Sequence, residues 1–127
     1  MIGYATLGTN NFEQAVAFYD ALLALMGGQR FLESDAMVAW VNDPAQPGLC
    51  ICKPYDGKPA TVGNGTMLAL AVDSNDLVDQ VYAKALALGA TDEGAPGPRA
   101  MPGFYAGYFR DLDGNKLNVF HLSQPAG

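Results

Sequence analysis

Apolar residues recur along this chain with two different periods, and the switches between them mark the elements. Leu77, Val78, Val81, Tyr82, Ala85 and Leu88 follow the three- and four-residue spacing of one buried helix face. Asp76, Asp79, Gln80 and Lys84 occupy the opposite face. Ser74 is placed to cap this helix and Gly89 to end it in the left-handed conformation. An earlier stretch shows the same pattern: Ala15, Phe18, Tyr19, Leu22 and either Leu25 or Met26 face inward. There Asn11 is the expected cap, Gln14 completes a capping box, and Gly27-Gly28 stops the helix.

Elsewhere the period is two, as in half-buried strands. Ala5 and Leu7 alternate with Tyr4 and Thr6; Leu68, Leu70 and Val72 alternate with Met67, Ala69 and Ala71. Further strands are expected at Gln29–Ser34, Met37–Val41, Leu49–Lys53, a short Thr91–Glu93, Phe104–Arg110 and Lys116–Leu122. Asp113-Gly114 signals a hairpin between the last two. Tyr55–Gly65, rich in turn formers, reads as a linker, and Gly94–Gly103 reads as a second long loop. Residues 4–28 can be laid on 67–91 at an offset of 63, matching strand, polar cap, helix and glycine stop. The expectation is an α+β fold in one domain, 1–127, of two βαβββ modules: about 1–54, the linker 55–65, and about 66–122. The strand faces turned away from the helices would form a curved mixed sheet around a cleft.

Composition narrows the functions this fold could serve. Half the residues are hydrophobic and 16% are charged, an ordinary globular balance. Seven scattered basic residues against thirteen acidic ones give a net charge of -6. Neither nucleic acid nor an anionic membrane suits such a surface. No apolar run approaches the roughly 18 residues needed to cross a bilayer. The start, MIGYATLG, lacks a basic segment leading into an apolar one, so no secretory leader is expected. Cys50 and Cys52, one residue apart, are too close for an ordinary bridge. Reduced thiols and a cytoplasmic location are expected.

Three stretches resemble the vicinal oxygen chelate superfamily, which includes glyoxalase I, bleomycin- and fosfomycin-resistance proteins and extradiol dioxygenases. They are the helix carrying AVAFYDALL, the second strand–helix unit MLALAVDSNDLVDQVYAKALALGA, and YFRDLDGNKLNVF, similar to the family's F-x-D-P-D-G-N-x-x-E. The resemblance implies paired βαβββ modules, a homodimer, and a metal between the sheets. The family's metal-ligand positions fall at Tyr4, Cys50, Met67 and Asn118, and its proline at Leu112. A phenol, a thioether and a neutral amide are poor ligands for the ions such chemistry uses. The expectation is therefore no catalytic metal and no other cofactor, with a small molecule as ligand.

The candidate ligand-binding residues are Tyr4, Met67, Asn118, Trp40, Arg99, Tyr105 and Tyr108. Tyr4, Met67 and Asn118 either line a pocket or fill a redundant cavity. Trp40 suits a stacking surface, a dimer anchor or the core equally well. Arg99, in a Gly/Pro-rich loop with Tyr105 and Tyr108 following, is either a clamp for a carboxylate or phosphate or an ordinary surface arginine. His121, the single histidine, and the cysteines read as structural, and Asp111 and Asp113 as turn formers. Two rival readings remain: a metal-dependent lyase or dioxygenase of the same superfamily, and a non-enzymatic interaction protein with a filled cleft.

Overall fold

A computed structural model describes residues 1–123. The chain divides into two compact units, 1–64 and 65–127. In the first, β1 (Tyr4–Gly8) leads through α1 (Phe12–Ala24) to β2 (Gln29–Glu33), β3 (Met37–Val41) and β4 (Gly48–Cys52). In the second, β5 (Leu68–Ala71) leads through α2 (Asn75–Ala87) to β6 (Thr91–Pro98), β7 (Phe104–Arg110) and β8 (Lys116–Leu122). The sheet orders are β1-β4-β3-β2 and β5-β8-β7-β6, the same path taken twice. In each, the first strand pairs in parallel with the last and the other contacts are antiparallel. Both helices have 13 residues, and α1 falls on α2 at the offset of 63.

The core of each unit lies between its helix and one face of its sheet. In the first unit Ala15, Val16, Phe18, Tyr19, Leu22 and Leu23 of α1 pack with Leu7, Val38, Trp40, Leu49 and Ile51. The buried stripe is one column wider than the spacing predicted. It also ends earlier: the helix stops at Ala24, and Leu25 is partly exposed rather than buried. In the second unit Val78, Val81 and Ala85 meet Phe109, Leu117 and Val119.

The two caps differ. Ser74 Oγ accepts the Leu77 amide at 3.1 Å, as expected. Asn11 caps nothing with its side chain. Its amide instead donates to Thr9 Oγ1 at 3.0 Å, an earlier hydroxyl turn that replaces the expected capping box. The Asn10 amide is occupied with the linker, accepting from Ala60 N at 2.7 Å and donating to Ala60 O at 3.2 Å.

The long loop expected at Gly94–Gly103 is a correction. β6 runs on to Pro98, with register breaks between Asp92 and Gly94 and between Gly94 and Gly97. Two bulges on an edge strand accommodate glycine and proline that a central strand would reject. The turn at 111–115 forms as read: Asp111 Oδ1 accepts from the amides of Asp113 and Asn115, each at 2.9 Å.

Candidate functional site

Each sheet has one face against its helix and one turned from it, and alternation sorts the candidates between them. Leu7 and its partner Ile51 face α1, so Tyr4, Thr6, Gly48, Cys50 and Cys52 take the opposite face. Registered pairs share a face, which places Thr6, Cys50, Ala39 and Leu32 in one row across the first sheet. The same construction in the second sheet gives the row Ala69, Asn118, Tyr108 and Gly94. Cys50 and Asn118 thus occupy equivalent places, each on the last strand of its module beside the first.

Tyr4 is exposed on the helix-free face. Met67 lies just before β5, in phase with Ala69 and partly exposed. Cys50 is fully buried; burial, and then the neighbouring Cys52, push its thiol up from the ordinary value. Burial also raises Cys52. Neither favours a nucleophilic thiolate. Asn118 is 2% exposed, and its Oδ1 is the one buried side-chain oxygen or nitrogen among the described residues with no hydrogen-bond partner.

Two candidates lie on the other side of their sheets. Trp40 faces α1, where its Nε1 donates to Asp20 Oδ1 at 2.8 Å and its ring lies 5.9 Å from Tyr19. Arg30 donates to the same carboxylate, with Nε 2.9 Å from Oδ1. That guanidinium, chiefly, holds Asp20 below the ordinary carboxylate range. Of the readings open for Trp40, packing in the core is the one realised. Tyr105 faces α2 and donates to Asp79 Oδ1 at 2.7 Å, which raises its phenol. Tyr105 and Tyr108 are three residues apart on one strand and therefore on opposite faces. His121 is also on the helix side, 3.0 Å from Asn75 Oδ1.

Arg99 and Tyr108 do come together. The guanidinium lies 5.2 Å from the centre of the Tyr108 ring, and Lys116 Nζ lies 5.7 Å from the same centre. Arg99 Nη2 donates to Ala95 O at 2.8 Å. Lys116 was no sequence candidate, although its place two residues before Asn118 puts it on the same face. An open groove of about 500 Å³ between α1 and the β2–β3 hairpin is lined by Glu13, Asp20, Arg30, Glu33 and Asp35 among others. It lies on the helix side and holds none of the candidates.

The description "Glyoxalase/Bleomycin resistance protein/Dioxygenase superfamily" matches residues 1–119. The chain belongs to this superfamily. A glyoxalase/bleomycin resistance protein from Albidiferax ferrireducens T118 is similar over 98% of this chain and 99% of its own, with 35% identity and a TM-score of 0.86. At lower identity, 22%, a lactoylglutathione lyase from Agrobacterium tumefaciens shares the fold, with a TM-score of 0.69 over 95% of this chain and 92% of that one. So does the fosfomycin resistance protein FosX from Listeria monocytogenes, at 16% identity and a TM-score of 0.72, over 97% and 93% of the chains. Comparison with curated proteins found no match.

Superfamily membership raises the question of a metal. The ligand positions carried over to this chain hold an exposed phenol, a buried thiol with a raised pKa, a thioether and a neutral amide. No group of three or more His, Cys, Asp or Glu side chains among the described residues is arranged to hold an ion. This donor set does not fit the hard and borderline divalent ions that polarise vicinal oxygens. Among the described residues, no helix is long and apolar enough to cross a membrane.

Proposed function

We propose that this superfamily member binds a small molecule on the helix-free faces of its sheets and does so without a catalytic metal. The observation carrying the reading is Asn118. A buried amide oxygen left unpaired costs about 1–3 kcal/mol, so it calls for a partner, and a donor group on a ligand would supply one. The face around it offers a tyrosine, a methionine and two cations, groups suited to contact with a ligand rather than to ion coordination.

The test is a thermal shift with and without divalent metal. A submicromolar site would add about 3 kcal/mol at about 100 µM metal, several degrees for a chain of this size. No shift is expected. A shift reversed by chelator and abolished by changing Tyr4 or Asn118 would replace this reading with the metal-dependent lyase or dioxygenase. The protein is further proposed to act as a cytoplasmic homodimer. Every residue of edge strand β2 is exposed, including Phe31 and Leu32, and such an edge is commonly covered by a partner.

A further inference from the structure

The two modules share a framework but not the chemistry of their free faces. The row in the first sheet is Thr6, Cys50, Ala39 and Leu32, without charge. The row in the second is Ala69, Asn118, Tyr108 and Gly94, with Arg99 and Lys116 at its tyrosine. Arg99 is held there by the irregular edge strand. A side chain added at Gly94 would come 3.5 Å from Arg99 Nη2 and 3.4 Å from Tyr108 Cδ1, and one at Gly97 would come 3.5 Å from Arg99 Nη1. Gly94 also has a φ of +150°, which L side chains rarely adopt. Both glycines therefore lie against the guanidinium, at ordinary contact distance, and it is the φ of Gly94 that requires glycine there.

Among the described residues, neither cation in this place has a carboxylate within ion-pair distance. The ion pairs among the described residues join Arg30 to Asp20 and Glu33, and Arg110 to Glu93. Arg99 and Lys116 join none of them, in a chain whose net charge is -6. Both stand over one ring, so they lie within about a Debye length of each other and repel. An anion drawn to both would offset that repulsion and gain charge-assisted hydrogen bonds from the donors Arg99 has left. Asn118, registered opposite Tyr108, has its side chain about 5 Å away on the same face and needs a donor at Oδ1.

We propose that the free face of the second module recognises a small molecule bearing a carboxylate or phosphate, held by Arg99 and Lys116 beside Tyr108, with a hydroxyl or N–H group of the same molecule donated to Asn118. The assignment rests on the small-molecule reading above and names its ligand class. Tyr108 serves as the platform that orders both cations, and Asn118 as the group that selects among anions.

The experiment is an NMR titration of the full 15N-labelled chain with glycerol 3-phosphate, propyl phosphate and glycerol. Glycerol 3-phosphate is expected to shift the amides of Gly94, Tyr108, Lys116 and Asn118 and to bind tightest. Propyl phosphate should bind the same face more weakly, and glycerol should have no effect. Arg99→Gln and, separately, Lys116→Gln should each weaken both phosphates about tenfold. Asn118→Leu should remove the preference for glycerol 3-phosphate while leaving propyl phosphate bound. Each variant's unperturbed amide spectrum confirms its fold; Lys116→Gln, at a half-buried strand position near a turn, is the safer of the two charge removals. Phosphate binding unchanged in both charge variants would overturn the assignment, as would glycerol shifting the same amides equally. If only neutral or cationic fragments occupy the face, the anion assignment falls and small-molecule binding stands. If no fragment shifts it and a divalent metal does, both fall.

Discussion

Replacing Asn118 with leucine should make the protein more stable and a poorer binder. Asn118 sits in the middle of β8, 2% exposed, with Oδ1 unpaired. Leucine has nearly the same shape, so little repacking is required. The change removes an unsatisfied buried carbonyl, about 1–3 kcal/mol, and puts apolar surface in its place. A net gain of about 2 kcal/mol would raise the urea midpoint by roughly 1 M at constant slope. The assay is urea unfolding followed by circular dichroism, because the single tryptophan reports on the other module. A loss of more than about 1 kcal/mol in Asn118→Leu would show that the amide is satisfied in the folded protein. The reasoning from an orphaned acceptor to a ligand would then fail.

Four further outcomes are expected from other parts of the molecule. Ser74→Ala should cost about 1 kcal/mol in thermal or chemical unfolding, whereas Asn11→Ala, whose side chain caps nothing, should cost clearly less. Asp20→Ala leaves the buried indole N–H of Trp40 without its acceptor and should cost about 1–3 kcal/mol, with a changed emission maximum. With acid, the Trp40 signal should hold down to the ordinary carboxylate value of 3.8 and change only below it. Asp20 has a lowered pKa, so its contribution is present above that value and is lost as the pH falls through its folded pKa. Sedimentation should give a dimer at tens of micromolar, roughly where a standard interface holds; a monomer alone would refute the homodimer.

Much of the framework was legible because it depends on period. The alternation in β1 and β8, the three-four spacing in both helices and the offset of 63 all survive as built. What was illegible depends on contacts between distant residues. At the first helix the Asn11 amide is taken by the Thr9 hydroxyl, a contact that the spacing of polar residues does not show. GAPGP reads as loop by composition, yet it is a bulged edge strand, because pairing with β7 is visible only in three dimensions. Trp40 could not be assigned a role until Asp20 and Tyr19 were seen beside it. Some of the site was readable and missed. Counting by twos along β7 and β8 separates Tyr105 from Tyr108 and joins Lys116 to Asn118.

The parallel pairing of β1 with β4 and of β5 with β8 bears on how the protein folds. The hairpins β2–β3, β3–β4 and β7–β8 join neighbours in sequence and can form early. By contrast Thr6 meets Cys50, and Ala69 meets Asn118, across roughly 45 residues of chain, a closure whose entropy is paid before any contact repays it. In each module that closing strand also completes the row on the free face. A nascent chain lacking its last strand would hold Tyr108 without Asn118 beside it, so recognition should arise in the same step that shuts the module.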